Sequence, residues 1–187
     1  MEYPPIVQVD YNGKIIGPIM YREAHNYLNP VLHESSHVFI FEDDSYSRLL
    51  LQKRGGDVDI TGVWDDSSGG HIDWLVDKNR PMAPEETAYR ELEEELFDKV
   101  GLPLGLKLEQ VCTFLKHTRP ADREFNYLFR GVHPGPFLLN PKEVSEVKFF
   151  DIEFLLKNIE EDRMAYTDSF PFVLFKYLEA IGRYKVK

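Results

Sequence analysis

Glu91, Glu94 and Glu95 lie in the run Arg90-Glu91-Leu92-Glu93-Glu94-Glu95, within a stretch whose pattern predicts a helix. At 3.6 residues per turn, positions i, i+3 and i+4 share one face, so the three carboxylates crowd together. Like charges at that spacing cost roughly a few tenths of a kcal/mol per pair unless a cation sits among them. Hard divalent ions such as Mg2+ are held by one or two carboxylates together with substrate phosphates. The segment therefore reads as half of a metal–diphosphate site. A solvated acidic helix face is the plainer alternative, and the flanking context decides between them. Arg90 stands one turn before Glu94 and reads as the group that orients the glutamates through a salt bridge.

The elements that must position these residues follow from pattern. Ile6 to Asp10 and Lys14 to Met20 flank Tyr11-Asn12-Gly13, an Asn-Gly hairpin signal. Tyr21 to Leu28 reads as a short amphipathic segment. Val38 to Phe41 and Leu49 to Leu51 read as a second hairpin. Arg54 to Gly70 reads as loop with a short strand near Val63-Trp64, ending in a Gly69-Gly70-His71 turn; so long an irregular stretch usually carries function. Pro84-Glu85-Glu86 opens the central helix. Ala88, Leu92, Leu96 and Val100 form its apolar stripe and Gly101 its cap. Leu108 to Leu115 and Phe125 to Val132 read as strands joined by a polar loop, Thr118 to Arg123. Val147 to Phe150 reads as a strand, Ile152 to Ile159 as a helix, and Phe170 to Tyr184 as a closing helix. This order predicts a layered α/β arrangement in one domain, with residues 1–34 as an N-terminal hairpin and short helix and residues 35–187 as the core.

Composition narrows the function. A formal charge of −10 argues against a sequence-independent nucleic-acid binder. It leaves a phosphate-bearing substrate open, because bound cations invert the local field. The one cysteine, Cys112, excludes an internal disulfide, fits a reducing compartment and sits in an apolar run as a structural thiol would. No apolar run reaches the ~18 residues of a membrane span, and Met1-Glu2-Tyr3-Pro4-Pro5 does not read as a signal peptide. The expectation is a cytoplasmic protein acting on a small diphosphate, with no nucleic acid or membrane partner and a homodimer left open.

The segment Gly70 to Leu102 resembles the Nudix box, G-x5-E-x7-R-E-U-x-E-E-x-G-U with U aliphatic. Arg90, Glu91, Leu92, Glu94 and Glu95 match its core in full. Six extra residues separate Gly70 from the helix, and Met82 stands where the first glutamate belongs, eight before Arg90. The terminal Gly-U comes four residues late as Gly101-Leu102, about one helical turn, which predicts a longer helix. The resemblance implies a Nudix-type α/β/α sandwich with a mixed central sheet, and a hydrolase using Mg2+ or Mn2+ on Glu91, Glu94 and Glu95.

Beyond the box, Gly62 to His71 resembles the branch that contains type 1 isopentenyl diphosphate isomerases. That branch holds a second metal with three histidines and two acids. The matching positions here are His25, His33 and His71, with Asp122 and Glu124 as the acidic pair, of which Glu124 is counted with the ligands. Those isomerases carry a cysteine directly before the Gly-His pair for proton transfer, and this chain has Gly69. The balance favours hydrolysis. Glu94, Glu91, Arg90 and Glu124 are the candidate catalytic residues; Glu94, Glu124, Glu143 and Glu146 compete as the base. Gly69, Gly70, Trp64 and Asp122 are candidate substrate contacts, with Trp64, Phe114 and Tyr127 open to a core role instead. An isomerase of prenyl diphosphates and a non-catalytic nucleotide binder stay as alternatives.

Overall fold

The computed structural model describes residues 3–56, 58, 60–98 and 100–184. In chain order the strands and helices are β1 (Ile6–Val9), β2 (Ile15–Ile19), α1 (Tyr21–Ala24), β3 (His33–Phe41), β4 (Arg48–Arg54), β5 (Trp64–Asp65), β6 (Ser68–His71), β7 (Trp74–Leu75) and β8 (Arg80–Pro81). They continue with α2 (Pro84–Leu96), β9 (Glu109–Arg119), β10 (Asp122–Val132), β11 (Val144–Asp151), α3 (Ile152–Glu161) and α4 (Phe170–Ala180). The N-terminal hairpin forms as its Asn-Gly signal predicts, with Gly13 at φ 75° supplying the left-handed turn.

Strand β3 is the centre of a mixed sheet and is buried along its whole length. It pairs in parallel with β10, from His33 opposite Glu124 to Phe41 opposite Val132. On its other side it pairs antiparallel with β6, His37 lying opposite Gly69. β10 continues the sheet into β9, and β4 carries β5 and β11. The hairpin expected between Val38 and Leu51 closes only at Phe41 and Leu49 before its strands part. Side chains alternate across a strand. Val38 and Ile40 therefore meet Ala88, Leu92 and Leu96 of α2, while Phe39 and Phe41 meet Phe170, Leu174 and Tyr177 of α4. Helices on both faces of a mixed sheet make the expected α/β/α sandwich. Among the described residues, no helix is long and apolar enough to cross a membrane.

Four expectations need correction. The Gly69-Gly70-His71 turn is a strand, held extended by β3. The polar loop from Thr118 to Arg123 shrinks to Pro120-Ala121, because β9 runs on to Arg119 and β10 starts at Asp122. α1 is one turn and stops at Ala24. α2 is not lengthened: it ends at Leu96, and Asp98 at φ 40° takes the left-handed position that ends it. Val100 lies outside the stripe at 71% exposure, and Gly101 caps nothing.

Candidate active site

Two clusters of chemistry-bearing side chains meet along β6. The first comes from four separate elements. His25 caps the C-terminus of α1, His33 opens β3, His71 ends β6 and Asp122 opens β10. Each offers a ligand atom, and these atoms lie within 4.8 Å of one another. The imidazole centroids are 4.6 to 4.9 Å apart, and the Nε2 atoms of His25 and His33 are each 3.7 Å from Asp122 Oδ1. The Nδ1 atoms of His25 and His33 sit 2.9 and 2.8 Å from the carbonyls of Tyr21 and Val31. Donation from Nδ1 to those carbonyls leaves the Nε2 lone pairs turned to the centre. Burial pushes His33 down to about 4 and His71 down to about 3, so both rings are neutral. Burial, with Glu124 alongside, pushes Asp122 up to about 7. His33 Nε2, His71 Nε2 and Asp122 Oδ1 are buried with no hydrogen-bond partner. Neutral imidazoles and a carboxylate converging on such orphaned atoms are what a cation site requires, and these residues fit one.

Glu124 does not join this set, although it was expected among the ligands. Its Oε2 accepts from Lys116 Nζ at 2.7 Å and Ser35 Oγ at 2.8 Å, and it stands 3.9 Å from His71 Nε2 through Oε1. Burial would push its carboxyl up, but the Lys116 ammonium holds it well below the usual range. Asp122, read as a substrate contact, is the acid that faces the three histidines.

The second cluster is the glutamate face of α2. Pro84 at its first turn and the Glu86 carboxylate, accepting from the Ala83 N–H at 3.4 Å, fix its start. Arg90 Nη2 lies 2.8 Å from Glu91 Oε1 and 3.4 Å from Asp73 Oδ2, and Nη1 lies 3.7 Å from Glu94 Oε2. Arg90 thus stands within ion-pair reach of both Glu91 and Glu94. Asp73 anchors it from the loop side, where Met82 has replaced the box's first glutamate. Glu95 accepts from the Gly69 N–H and the Gln52 amide, each at 3.3 Å. Burial drives Glu91 up to about 8, with Arg90 opposing and Glu95, Glu94 and Glu143 adding to it. Burial likewise drives Glu95 up to about 7, against the Ser68 hydroxyl and Gln52 amide, with Glu143 adding. Carboxylates crowded out of water call for a cation, and Gly70 explains how they fit. A Cβ there would stand 2.2 Å from Glu91 Oε1.

Gln52, Gly69 and Gly70 touch this cluster and also line a cavity of about 140 Å3 on the other side, where His71, Asp122 and Glu124 stand. Pattern reading missed three further residues of that cavity. His37 Nδ1 is bonded to Asp66 Oδ2, and His37 Nε2 lies 3.6 Å from Glu124 Oε2. Burial works against the imidazolium, but Asp66 outweighs it and holds His37 up to about 9. Lys116, 3% exposed, bridges Glu124 to Ser169 Oγ at 2.8 Å. The missed signal was periodicity. His33, Ser35 and His37 continue the alternation of Phe39 and Phe41 backwards, as one buried face of the same strand. Trp64 is not among the lining residues. Its ring packs edge-on to Phe150 at 4.9 Å beneath Lys53. Phe114 is core, and Tyr127 OH donates to Glu34 at 2.8 Å. Cys112 lies under α4, its Sγ 4.0 Å from the Lys176 carbonyl.

These proton equilibria predict a pH response. Glu91, Glu95, Asp122 and His37, at about 8, 7, 7 and 9, keep protons in the fold that the unfolded chain has released by pH 6.5 to 8. The folded state then binds more protons, so stability falls as pH rises. His33 and His71 act in the opposite sense, but only below their ordinary 6.5. Calorimetry of the chelated protein should show Tm dropping from pH 6.5 to 8, with a divalent ion shrinking the drop because it displaces those protons. A flat or rising Tm would contradict this.

A mixed sheet between helices, with an acid-bearing helix laid against a glycine strand, defines a Nudix-type α/β protein. The NUDIX domain model matches residues 31–170, and the chain belongs to that family. It is 30% identical over 166 residues to isopentenyl-diphosphate Delta-isomerase 1 of Aromatoleum aromaticum, covering 87% of this chain and 85% of that one. It is 37% identical over 145 residues to Nudix hydrolase 3 of Arabidopsis thaliana, a match that covers 72% of this chain but 18% of that much longer protein. Among solved structures, DR0079 from Deinococcus radiodurans shares the fold with a TM-score of 0.67 at 18% identity, covering 97% of this chain and 99% of that one.

Proposed function

We propose that the chain is a divalent-metal-dependent hydrolase that cleaves the diphosphate of a nucleoside diphosphate derivative or related organic diphosphate. The observation that carries this reading is the complete glutamate set, held by Arg90 and packed onto a side-chain-free Gly70. Glu91, Glu94 and Glu95 would hold Mg2+ or Mn2+, which when bound neutralises a diphosphate and makes water more acidic. The set of His25, His33, His71 and Asp122, rich in imidazole, suits a transition ion such as Zn2+ or Fe2+ better than Mg2+. Glu143 suits the role of base for the attacking water. It stands near enough to raise both Glu91 and Glu95, and its Oε1 accepts from Asn140 Nδ2 at 2.9 Å. Its backbone carbonyl accepts from Gly55 N–H at 2.6 Å, which pins the turn to β4. Arg90 holds the acids in place rather than binding substrate.

The isomerase relative and the histidine cluster favour a second reading, prenyl diphosphate isomerisation. Against it, Gly69 offers no thiol beside His71. Cys112 sits four residues along β9 from Lys116, roughly 13 Å at strand rise, and under α4. The test is product identity by phosphorus and proton NMR, with Mg2+ or Mn2+, on nucleoside diphosphate derivatives and on isopentenyl diphosphate. Phosphate or monophosphate release from the former, with the latter's double bond unmoved, is the expected result. Dimethylallyl diphosphate formed at a catalytic rate would overturn the hydrolase reading.

A further inference from the structure

β6 is the wall between the two clusters, and it is one backbone thick. Its residues face opposite sides in alternation. At Gly70 the strand turns towards α2, where a Cβ would meet Glu91. At His71 it turns an imidazole the other way, into the set with His25, His33 and Asp122. The main chain that joins them is bonded to α2 as well. Gly69 N–H donates to Glu95 Oε2 at 3.3 Å, and the His71 carbonyl accepts from Arg90 Nη2 at 3.4 Å. That same nitrogen lies 3.4 Å from Asp73 Oδ2 and 2.8 Å from Glu91 Oε1, while Nη1 reaches Glu94 at 3.7 Å. His71 therefore belongs to both sites, by its ring to one and by its carbonyl, through Arg90, to the other.

The strand has little freedom to uncouple the two. β3 pairs it from Val38–Ser68 to Ser35–His71, and the next residue, Ile72, is fully buried with its N–H on the Glu34 carbonyl at 3.0 Å. A ring gripped by an ion holds the backbone it hangs from, and so holds the acceptor that Arg90 uses. A second ion that finds the acids already arranged has less ordering left to do, so it binds more tightly. Repulsion between two cations acts the other way and can only weaken binding. We propose that His71 and Arg90 couple the two ion sites, so that an ion on the histidine set strengthens binding of a second ion to Glu91, Glu94 and Glu95, and the reverse. The inference rests on both clusters taking ions, as in the hydrolase reading above, and not on which diphosphate is cleaved.

Zn2+ suits the imidazole–carboxylate set and Mg2+ the all-oxygen one, so the sites can be loaded separately. Zn2+ affinity of the unmodified protein, measured by competition with a chromophoric chelator, should rise about fivefold or more when Mg2+ is saturating. By reciprocity, Mg2+ affinity measured by calorimetry should rise by the same factor once one equivalent of Zn2+ is bound. Arg90→Lys keeps the charge but loses the fork that spans the His71 carbonyl and the glutamates, so both factors should fall to one or below. His25→Ala strips a ligand from the histidine set and should weaken Zn2+ binding, which locates that ion. Zn2+ affinity that Mg2+ leaves unchanged or lowers would overturn the coupling while both sites stand. A protein that takes up no Zn2+, or no Mg2+, loses the site itself and the coupling with it. A factor that survives Arg90→Lys would overturn the route through Arg90. If that variant does not fold, the sign in the unmodified protein decides, because repulsion alone cannot tighten binding.

Discussion

Glu94→Gln and Glu95→Gln should each lower the rate of diphosphate cleavage by roughly 10² to 10⁴, the range for losing one acid–base or electrostatic contributor. Neither change should harm the fold. Glu94 is part-exposed, and Glu95 is a buried carboxyl pushed up to about 7, so exchanging it for a neutral amide relieves crowding. Gln at 95 can still accept from the Gly69 N–H. Steady-state kinetics beside a thermal melt in chelator separates the two effects. A Gln variant with unchanged turnover would reduce the glutamate face to solvated surface.

Gly70→Ala should be as damaging to activity, by a different route. The added Cβ would stand 2.2 Å from Glu91 Oε1 and 2.4 Å from its Cδ, far inside contact distance. The strand cannot withdraw, because Gly70 is paired to Ser36 of β3. Glu91 must therefore swing away and leave its 2.8 Å bond to Arg90, which also positions Glu94. A methyl group that displaces one glutamate thus disorganises the set, and a loss of about 10²-fold or more follows from misplacement alone. The melt should shift little, since what moves is the end of a flexible side chain. Near-normal kcat/KM in the alanine variant would show that Glu91 has room the structure denies it.

The helix that carries the acids was legible because its period, its proline start and its Arg-Glu spacing are local facts. The layered α/β arrangement was legible from the order of its elements, and the sandwich from the resemblance. His25, His33, His71 and Asp122 came from resemblance alone, since four residues on four elements share no local pattern. His37, Asp66 and Lys116 escaped because pairing across strands is what joins them: Asp66 reaches His37 only through the β6 register, and Lys116 reaches Glu124 only through the β9–β10 hairpin. A buried strand usually reads as an apolar run. The polar half of β3, from His33 to His37, hid its start for that reason, and the same polarity marks the site. The end of α2 was misread because a left-handed Asp98 stops a helix as well as glycine does.

The parallel pairing of β3 with β10 also bears on how the chain folds. It joins His33 to Glu124 across 91 positions, a long closure that must be made before its contacts reward it. The β1–β2 and β9–β10 hairpins are local and need no such closure. His25 and His33 lie on one side of that seam and Asp122 on the other, so no partly folded chain lacking it can assemble the imidazole–carboxylate set. Capture of a transition ion by those residues should then appear only in the last refolding phase, together with the native signal, which makes the ion a reporter of completed topology.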